Sequence, residues 1–332
     1  MAEDADANAE QTGLTYADVG VDIDASEAAT AALAGALGGL DTSEYAGLID
    51  IGDRFLALAT DGVGTKLLVA EAIGDYSTVG IDCIAMNAND MIAMGVRPVA
   101  FVDYLAVDVP DDSMAEAIGE GLAAGAEAAG LALVGGETAV MPEVINGLDL
   151  AGACAGLAPK DALFEGAAQP GDVIVGWPSS GVHSNGLTLA REAVTRQHDY
   201  TDPFPHDPDR TIGEVLLEPT RLYTDLLSPM RDHDVRAAAH VTGGGWTNLE
   251  RLADEDRRYE ITAPFSPQPI FEFVQTEGNV SAVEMHRTFN MGTGFVAVAD
   301  PTNADALATA TDGRIIGEVT SGDAVAIRGL EL

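Results

Sequence analysis

The sequence predicts a mixed α/β fold (α/β or α+β) built as two domains. Three observations carry this reading. Strand-like and helix-like runs are interleaved through both halves of the chain. Glycine-rich segments bearing carboxylates, hydroxyls or a histidine close several apolar runs, at 60–66, 135–138, 178–186 and 242–245. A polar, turn-rich join at about 159–171 separates the halves. Residues 14–160 then form an N-terminal domain and 171–332 a C-terminal α/β domain, behind an acidic, small-residue start at 1–13 that is expected to be disordered.

In chain order, Asp24-Ala25-Ser26 caps a helix from about Glu27 to Leu37, which Gly38-Gly39 ends. Residues 48–51 and 55–60 read as a hairpin about Gly52-Asp53. Residues 78–94 form a mostly apolar and therefore buried helix that nevertheless carries Asp82, Asn87, Asn89 and Asp90. Polar groups on such a helix need partners, supplied either by a core hydrogen-bond network or by a metal or phosphate site. A strand at 98–108, interrupted by Asp103, leads to an Ala/Gly-rich helix at 114–129 and a short strand at 131–134 that ends in Gly135-Gly136-Glu137-Thr138; a further strand covers 148–157. The second half opens with a strand at 172–177, a Ser/Gly/His/Asn loop and a helix to about Arg196. Residues 197–213 read as a Pro-rich loop, and Glu218-Pro219-Thr220 starts a helix. A strand at 237–241 precedes a helix from Trp246. Helices at 269–276, 282–287 and 303–311 and strands at 294–299, 314–319 and 324–328 complete the chain.

Composition bounds the function. Asp plus Glu is 54 against 16 Lys plus Arg, a net charge of -38, and the acids are scattered rather than blocked. A scattered acidic excess is a solvated surface, which disfavours nucleic acid as a partner. No run is long enough to span a bilayer and the start has no apolar leader, so no membrane partner and a cytoplasmic location are expected. Cys83 and Cys154 lie in apolar runs and read as small buried hydrophobes. Lysine is nearly absent, Lys66 and Lys160 being the only two, which fits a salt-adapted cytoplasm.

That scarcity draws attention to Thr60-Asp61-Gly62-Val63-Gly64-Thr65-Lys66. An Asp-Gly turn is common by itself. Here a hard oxygen ligand, two glycines that let backbone N–H groups approach an anion, and a cation stand within seven residues, the parts that hold a magnesium-bound polyphosphate. His183 and Asn185 sit in a loop before a helix N-terminus, an anion or substrate position by geometry, the alternative for His183 being a plain turn residue. The chain has neither Gly-Lys-Ser/Thr nor Gly-x-Gly-x-x-Gly, which excludes P-loop and dinucleotide-binding motifs.

The motifs taken together resemble the phosphoribosylformylglycinamidine cyclo-ligase (aminoimidazole ribonucleotide synthetase) family. They are Tyr16–Asp24, Thr60–Lys66, Gly80-Ile-Asp82, Asn89-Asp90, Phe101–Tyr104, Val134–Thr138, Ser179–Gly186, Leu217–Arg221, His240–Gly245 and Met285–Asn290, in order over most of the chain. The resemblance implies ATP-dependent closure of formylglycinamidine ribonucleotide to aminoimidazole ribonucleotide through a phosphorylated amide. It also implies a homodimer in which N-terminal strands pair across subunits. ATP and Mg²⁺ are the implied cofactors. Asp61, Asp90 and Glu137 are the implied metal ligands, and Lys66, His183 and Asn185 the catalytic residues. Asp61, Gly62, Gly64, Thr65, Lys66, Asp82, Asn87, Gly135, Gly136 and Glu137 would line the nucleotide. Two departures stand out: the segment around 35–40 is shorter than the family's glycine-rich lid, and Val140 stands where an acid is usual. Thiamine-phosphate kinase is the enzyme alternative, and an inactive nucleotide-binding homodimer the non-enzyme one. Selenophosphate synthetase fits less well for want of a reactive N-terminal Cys or Lys, and hydrogenase-maturation dehydratase for want of a terminal Cys, this chain ending Leu330-Glu331-Leu332.

The charge reading yields a test. In molar salt the Debye length is about 3 Å and self-repulsion is screened, so the far-ultraviolet circular dichroism signal should fall on dialysis into dilute buffer; an unchanged spectrum would refute salt dependence.

Overall fold

The structure is a computed structural model that describes residues 13–21, 23–36, 45–164, 166–253 and 256–332. The first half runs α1 (Ile23–Ala36), β1 (Gly47–Asp50), β2 (Arg54–Gly62), α2 (Lys66–Ile73), α3 (Val79–Ala93), β3 (Arg97–Val107), α4 (Asp112–Ala129), β4 (Ala132–Val140) and β5 (Leu148–Pro159). The second runs β6 (Val173–Pro178), α5 (Leu187–Thr195), β7 (Pro203–Phe204), β8 (Asp207–Thr211), α6 (Ile212–Leu216), α7 (Leu227–Asp232), β9 (Ala237–His240) and β10 (Arg258–Ile261). It closes with α8 (Pro269–Gly278), α9 (Ala282–Thr288), β11 (Thr293–Ala299), α10 (Pro301–Ala310), β12 (Arg314–Thr320), β13 (Ala324–Ile327) and β14 (Leu330–Glu331).

The first sheet has the order β1-β2-β5-β3-β4, with only β3 and β4 parallel. Alternation along the strands separates its faces. Ala57, Phe101, Leu105, Leu150 and Cys154 are buried, on the side where α3 packs. The register puts Ile49, Leu58, Val102 and Tyr104 on the other face, where they are 49%, 48%, 40% and 42% exposed. The second sheet, β14-β13-β10-β12-β6-β11-β9, is covered on both sides. Val296 and Val298 pack with Trp246 and Leu249, while Phe295 and Ala297 pack with Leu307, Met230 and Ile92 of α3. A further hydrophobic cluster crosses the two halves without a break, from Val63, Cys83 and Phe101 to Leu189, Phe271 and Phe289.

Most expected elements are present, with instructive differences. α1 begins at Ile23, so Asp24-Ala25-Ser26 lies within the helix rather than before it. Gly38-Gly39 and residues 1–12 of the acidic start lie outside the described residues. The strand expected at 131–134 continues through the glycines to Val140, because β3 pairs with it along that whole length. The 197–213 loop contains the β7/β8 hairpin, and the capping box Thr211/Glu214 starts a helix there. Glu218-Pro219-Thr220 is consequently not a helix start but an irregular segment between α6 and a 3₁₀ turn at Thr224–Leu226. Gly245–Leu252 is 3₁₀ rather than α, and β10 is a strand beyond those expected.

α3 and α4 approach backbone to backbone. A Cβ on Gly80 would stand 2.2 Å from the Leu122 nitrogen and 2.5 Å from the Ile118 oxygen, neither of which can move aside. Gly80→Ala should therefore destabilise by at least the ~1–3 kcal/mol typical of overpacking. The measurement is urea unfolding; an unchanged midpoint would show that the helices can separate freely.

Candidate active site between the two halves

Helix α3 is buried almost throughout, and its polar residues are directed at the second half or at β2. Asp82 Oδ1 accepts from the Thr220 N–H (2.8 Å) and hydroxyl (2.6 Å). Lys66, at the start of α2, has its Nζ 2.9 Å and 2.8 Å from the two Asp82 oxygens, and donates to the Glu218 carbonyl at 2.7 Å. Both side chains are 0% exposed. Burial pulls the Lys66 pKa down, opposed by Asp82 and Glu218. The expectation that Lys66 offers a free charge to a phosphate, and Asp82 a free carboxylate to the nucleotide, is corrected: each answers the other inside the protein. The irregular 218–223 segment follows from the same contacts, since side chains of the first half satisfy its backbone groups. Asn89 completes the set, donating to the Arg221 carbonyl (2.9 Å) and accepting from the Tyr223 N–H (2.9 Å).

One turn from Asn87, α3 presents Asp90, whose Oδ1 lies 2.9 Å from His240 Nδ1 at the end of β9. Asp61 of β2 faces the same cluster. Its side chain reaches solvent but is hemmed in by protein, and burial, then the charge of Asp90, pushes its pKa up to about 6. Asn87 donates to the Asp61 carbonyl (3.2 Å) and the Cys83 carbonyl (3.0 Å), leaving its Oδ1 enclosed without a partner. Beyond Asp61 the chain turns. The Gly62 N–H is taken by the Asp61 carboxylate at 2.7 Å, so it is not the free donor expected. Gly64 is exposed with φ +69°, and a Cβ there would meet nothing within 4 Å, so this turn remains open to a ligand. Thr65 bonds Thr188 of α5, hydroxyl to hydroxyl, at 2.9 Å.

His183 is 1% exposed and holds a left-handed backbone (φ 65°), strained for a residue with a Cβ. Burial, with Lys66 and Arg221 adding to it, keeps its pKa well below the ordinary value, so the ring is neutral. Its Nε2 accepts from the Ser180 N–H at 3.2 Å, which leaves the proton on Nδ1, enclosed and without a partner. In this arrangement His183 can donate a hydrogen bond but cannot act as a base through Nε2. Asn185 is partly exposed before α5; its Nδ2 lies 3.6 Å from Met86 Sδ of α3.

Glu137 does not join Asp61 and Asp90. Cross-strand pairing runs Asp61, Gly152, Asp103, Gly136, so Gly136 lies three strands from Asp61, about 14 Å away. Glu137, one residue on, points to the opposite, open face. Among the described residues no three His, Cys, Asp or Glu side chains converge as a metal cluster. The reason for Gly136 is Asp103, whose Oδ1 would be 2.2 Å from a Cβ there, while Gly135 stands in open space. Asp103 itself is raised in pKa by burial. Residues that the sequence left without a role are thus Asp103, Thr220 and His240, whereas Asn89, expected to need a partner, finds it in the core hydrogen-bond network. The carboxylate interrupting a strand and the His-Val-Thr-Gly-Gly-Gly motif were the available signals.

Asp82→Asn leaves a buried ammonium without a counter-charge, and should cost about 3–5 kcal/mol. The double variant Lys66→Met/Asp82→Leu should recover much of that loss in chemical denaturation. Equal instability of the single and double variants would show that charge is not the cause.

Residues 43–158 match the family described as AIR synthase related protein, N-terminal domain, and 169–329 the corresponding C-terminal domain. A curated phosphoribosylformylglycinamidine cyclo-ligase of Methanococcoides burtonii is 46% identical over 330 residues, covering 96% of this chain and 98% of its own. Among solved structures, AaThiL complexed with AMPPCP and TMP superposes with a TM-score of 0.68 at 15% identity, over 94% of this chain and 96% of that one. The PurL of T. maritima complexed with FGAR does so at 0.60 and 19%, over 88% of this chain and 46% of that one. At those identities the structural likeness speaks to the fold alone, whereas the sequence match spans both domains at a level that shows descent: the chain belongs to the AIR synthase related family, among the phosphoribosylformylglycinamidine cyclo-ligases.

Proposed function

We propose that the cleft between β2, α3, the 178–186 loop and the end of β9 carries out the family's ATP-dependent ring closure. Formylglycinamidine ribonucleotide and ATP give 5-aminoimidazole ribonucleotide, ADP and phosphate. One observation carries the reading at the level of residues: Asp61 lies within the field of Asp90 beside the open Gly64 turn, and burial, then the charge of Asp90, pushes the Asp61 pKa up to about 6. Two repelling carboxylates at an open turn fit Mg²⁺, which takes one or two carboxylates and fills its remaining positions with water and substrate phosphates. Asp61 and Asp90 would hold the ion, which when bound neutralises charge on the polyphosphate. No third protein carboxylate is required, and Glu137 has no part in this set.

The residues supply position and hydrogen bonds. The amide oxygen of the substrate takes the terminal phosphoryl group of ATP, and ADP leaves. The amidine nitrogen then forms the ring C–N bond as the C–O bond breaks and phosphate departs. The Nδ1–H of His183, a fixed neutral donor, suits an oxygen on which charge develops, and one such donor contributes about 3–4 kcal/mol. The enclosed Oδ1 of Asn87 is the acceptor left for a donor on the bound molecules. Lys66 and Asp82 hold the walls in register. The uncovered apolar face with Ile49, Leu58, Val102 and Tyr104 supports a homodimer in which two such sheets meet, and Glu137 stands on that face.

Thiamine-phosphate kinase is disfavoured because its likeness rests on fold, while the sequence match lies with the cyclo-ligases. In high KCl with Mg·ATP, ADP and the aminoimidazole product should form in equal amounts, and Asp90→Asn should raise the Mg²⁺ requirement. Turnover of thiamine monophosphate instead, or ATP binding without turnover of either substrate, would overturn the assignment.

A further inference from the structure

We infer that His240 is a positioning residue for Asp90, so that the second half of the chain orients the carboxylate that the first half presents to the metal. The inference rests on the reading of Asp61 and Asp90 given above.

His240 is 0% exposed and ends β9, where Phe295 of β11 pairs with it. The ring is walled by Tyr223, Phe295 and His183, with centroids 6.2, 6.4 and 6.5 Å away. Its tautomer follows from its neighbour. The Asn89 amide cannot turn over, because Nδ2 donates to the Arg221 carbonyl and Oδ1 accepts from the Tyr223 N–H, both at 2.9 Å. The same Nδ2 lies 3.3 Å from His240 Nε2, so that nitrogen presents its lone pair. The proton therefore resides on Nδ1 and is donated to Asp90 Oδ1 at 2.9 Å. Among the described residues no other hydrogen bond to the Asp90 carboxylate is found, which leaves Oδ2 for a cation. Asp61 repels Asp90, and a donor anchored in the other half holds the Asp90 carboxylate in place against that repulsion. A histidine needed only to fill space between Tyr223 and Phe295 would be better replaced by an apolar ring, which makes no demand for polar partners.

The probes are Mn²⁺ alone and Mn²⁺ with a non-hydrolysable ATP analogue, followed by electron paramagnetic resonance on the full chain. His240→Phe keeps a ring but removes the donor, whereas His240→Asn keeps a nitrogen donor near the place of Nδ1. We expect His240→Phe to weaken Mn²⁺ binding about 10–100-fold, His240→Asn to stay much closer to wild type, and metal-free nucleotide affinity to be unaltered in both. Wild-type affinity in His240→Phe, or equal losses in both variants, would overturn the positioning role. In the unmodified, metal-free protein ¹⁵N spectra should show His240 protonated at Nδ1; an Nε2–H tautomer would overturn it without any variant. A wild-type protein that binds Mn²⁺ neither alone nor with nucleotide would instead remove the reading of Asp61 and Asp90 on which the inference stands.

Discussion

The arrangement of the cleft depends on one buried ion pair. Lys66 and Asp82, both shut off from solvent, share their remaining valences with the Glu218 carbonyl and with Thr220. A pair of this kind contributes little net stability compared with apolar packing, because removing both charges from water is costly. What it supplies is register. An ammonium and a carboxylate in a dry interior tolerate few geometries, and these two are satisfied only when 218–220 lies against α2 and α3 in the observed position. Asn89 and His240 extend the same logic along α3, so one helix from the first half organises a loop and a strand end of the second.

This explains what the sequence could and could not reveal. Periodicity placed most strands and helices, since strands with one buried face and a helix as apolar as 78–94 carry their own signal. Errors gathered where long-range contacts override local pattern. The 218–220 segment looked like a helix start because its partners lie more than a hundred residues earlier. The Gly135-Gly136 run looked like a strand end because glycine usually breaks strands, whereas Gly136 sits mid-strand under Asp103. Of the site, Asp61, Asp90, Asn87, His183 and the Gly64 turn could be named from their motifs and do gather in one region. Lys66 was misjudged in a revealing way. Its rarity signalled importance, but a lone lysine can be kept for an internal carboxylate as readily as for a phosphate, and only the fold distinguishes the two. Glu137 was grouped with Asp61 on chemistry, although strand parity sends it to the other face.

One carboxylate of raised pKa and two enclosed atoms without partners lie in the cleft. Asp61 is acceptor-rich and crowded by a like charge, while Asn87 Oδ1 and His183 Nδ1 are enclosed and unpaired. Native interiors rarely leave such atoms idle.

The uninterrupted cluster joining Val63 and Cys83 to Leu189 and Phe289, together with the polar grip of α3, bears on how the chain is made. When the first 160 residues have left the ribosome, Asp82, Asn89 and Asp90 lie on a helix whose partners at 218–240 have not yet been synthesised. The nascent first half must keep that helix face wet, or shielded by other molecules, until the later strands arrive. Its closure is then a single late event that completes both halves and the cleft together.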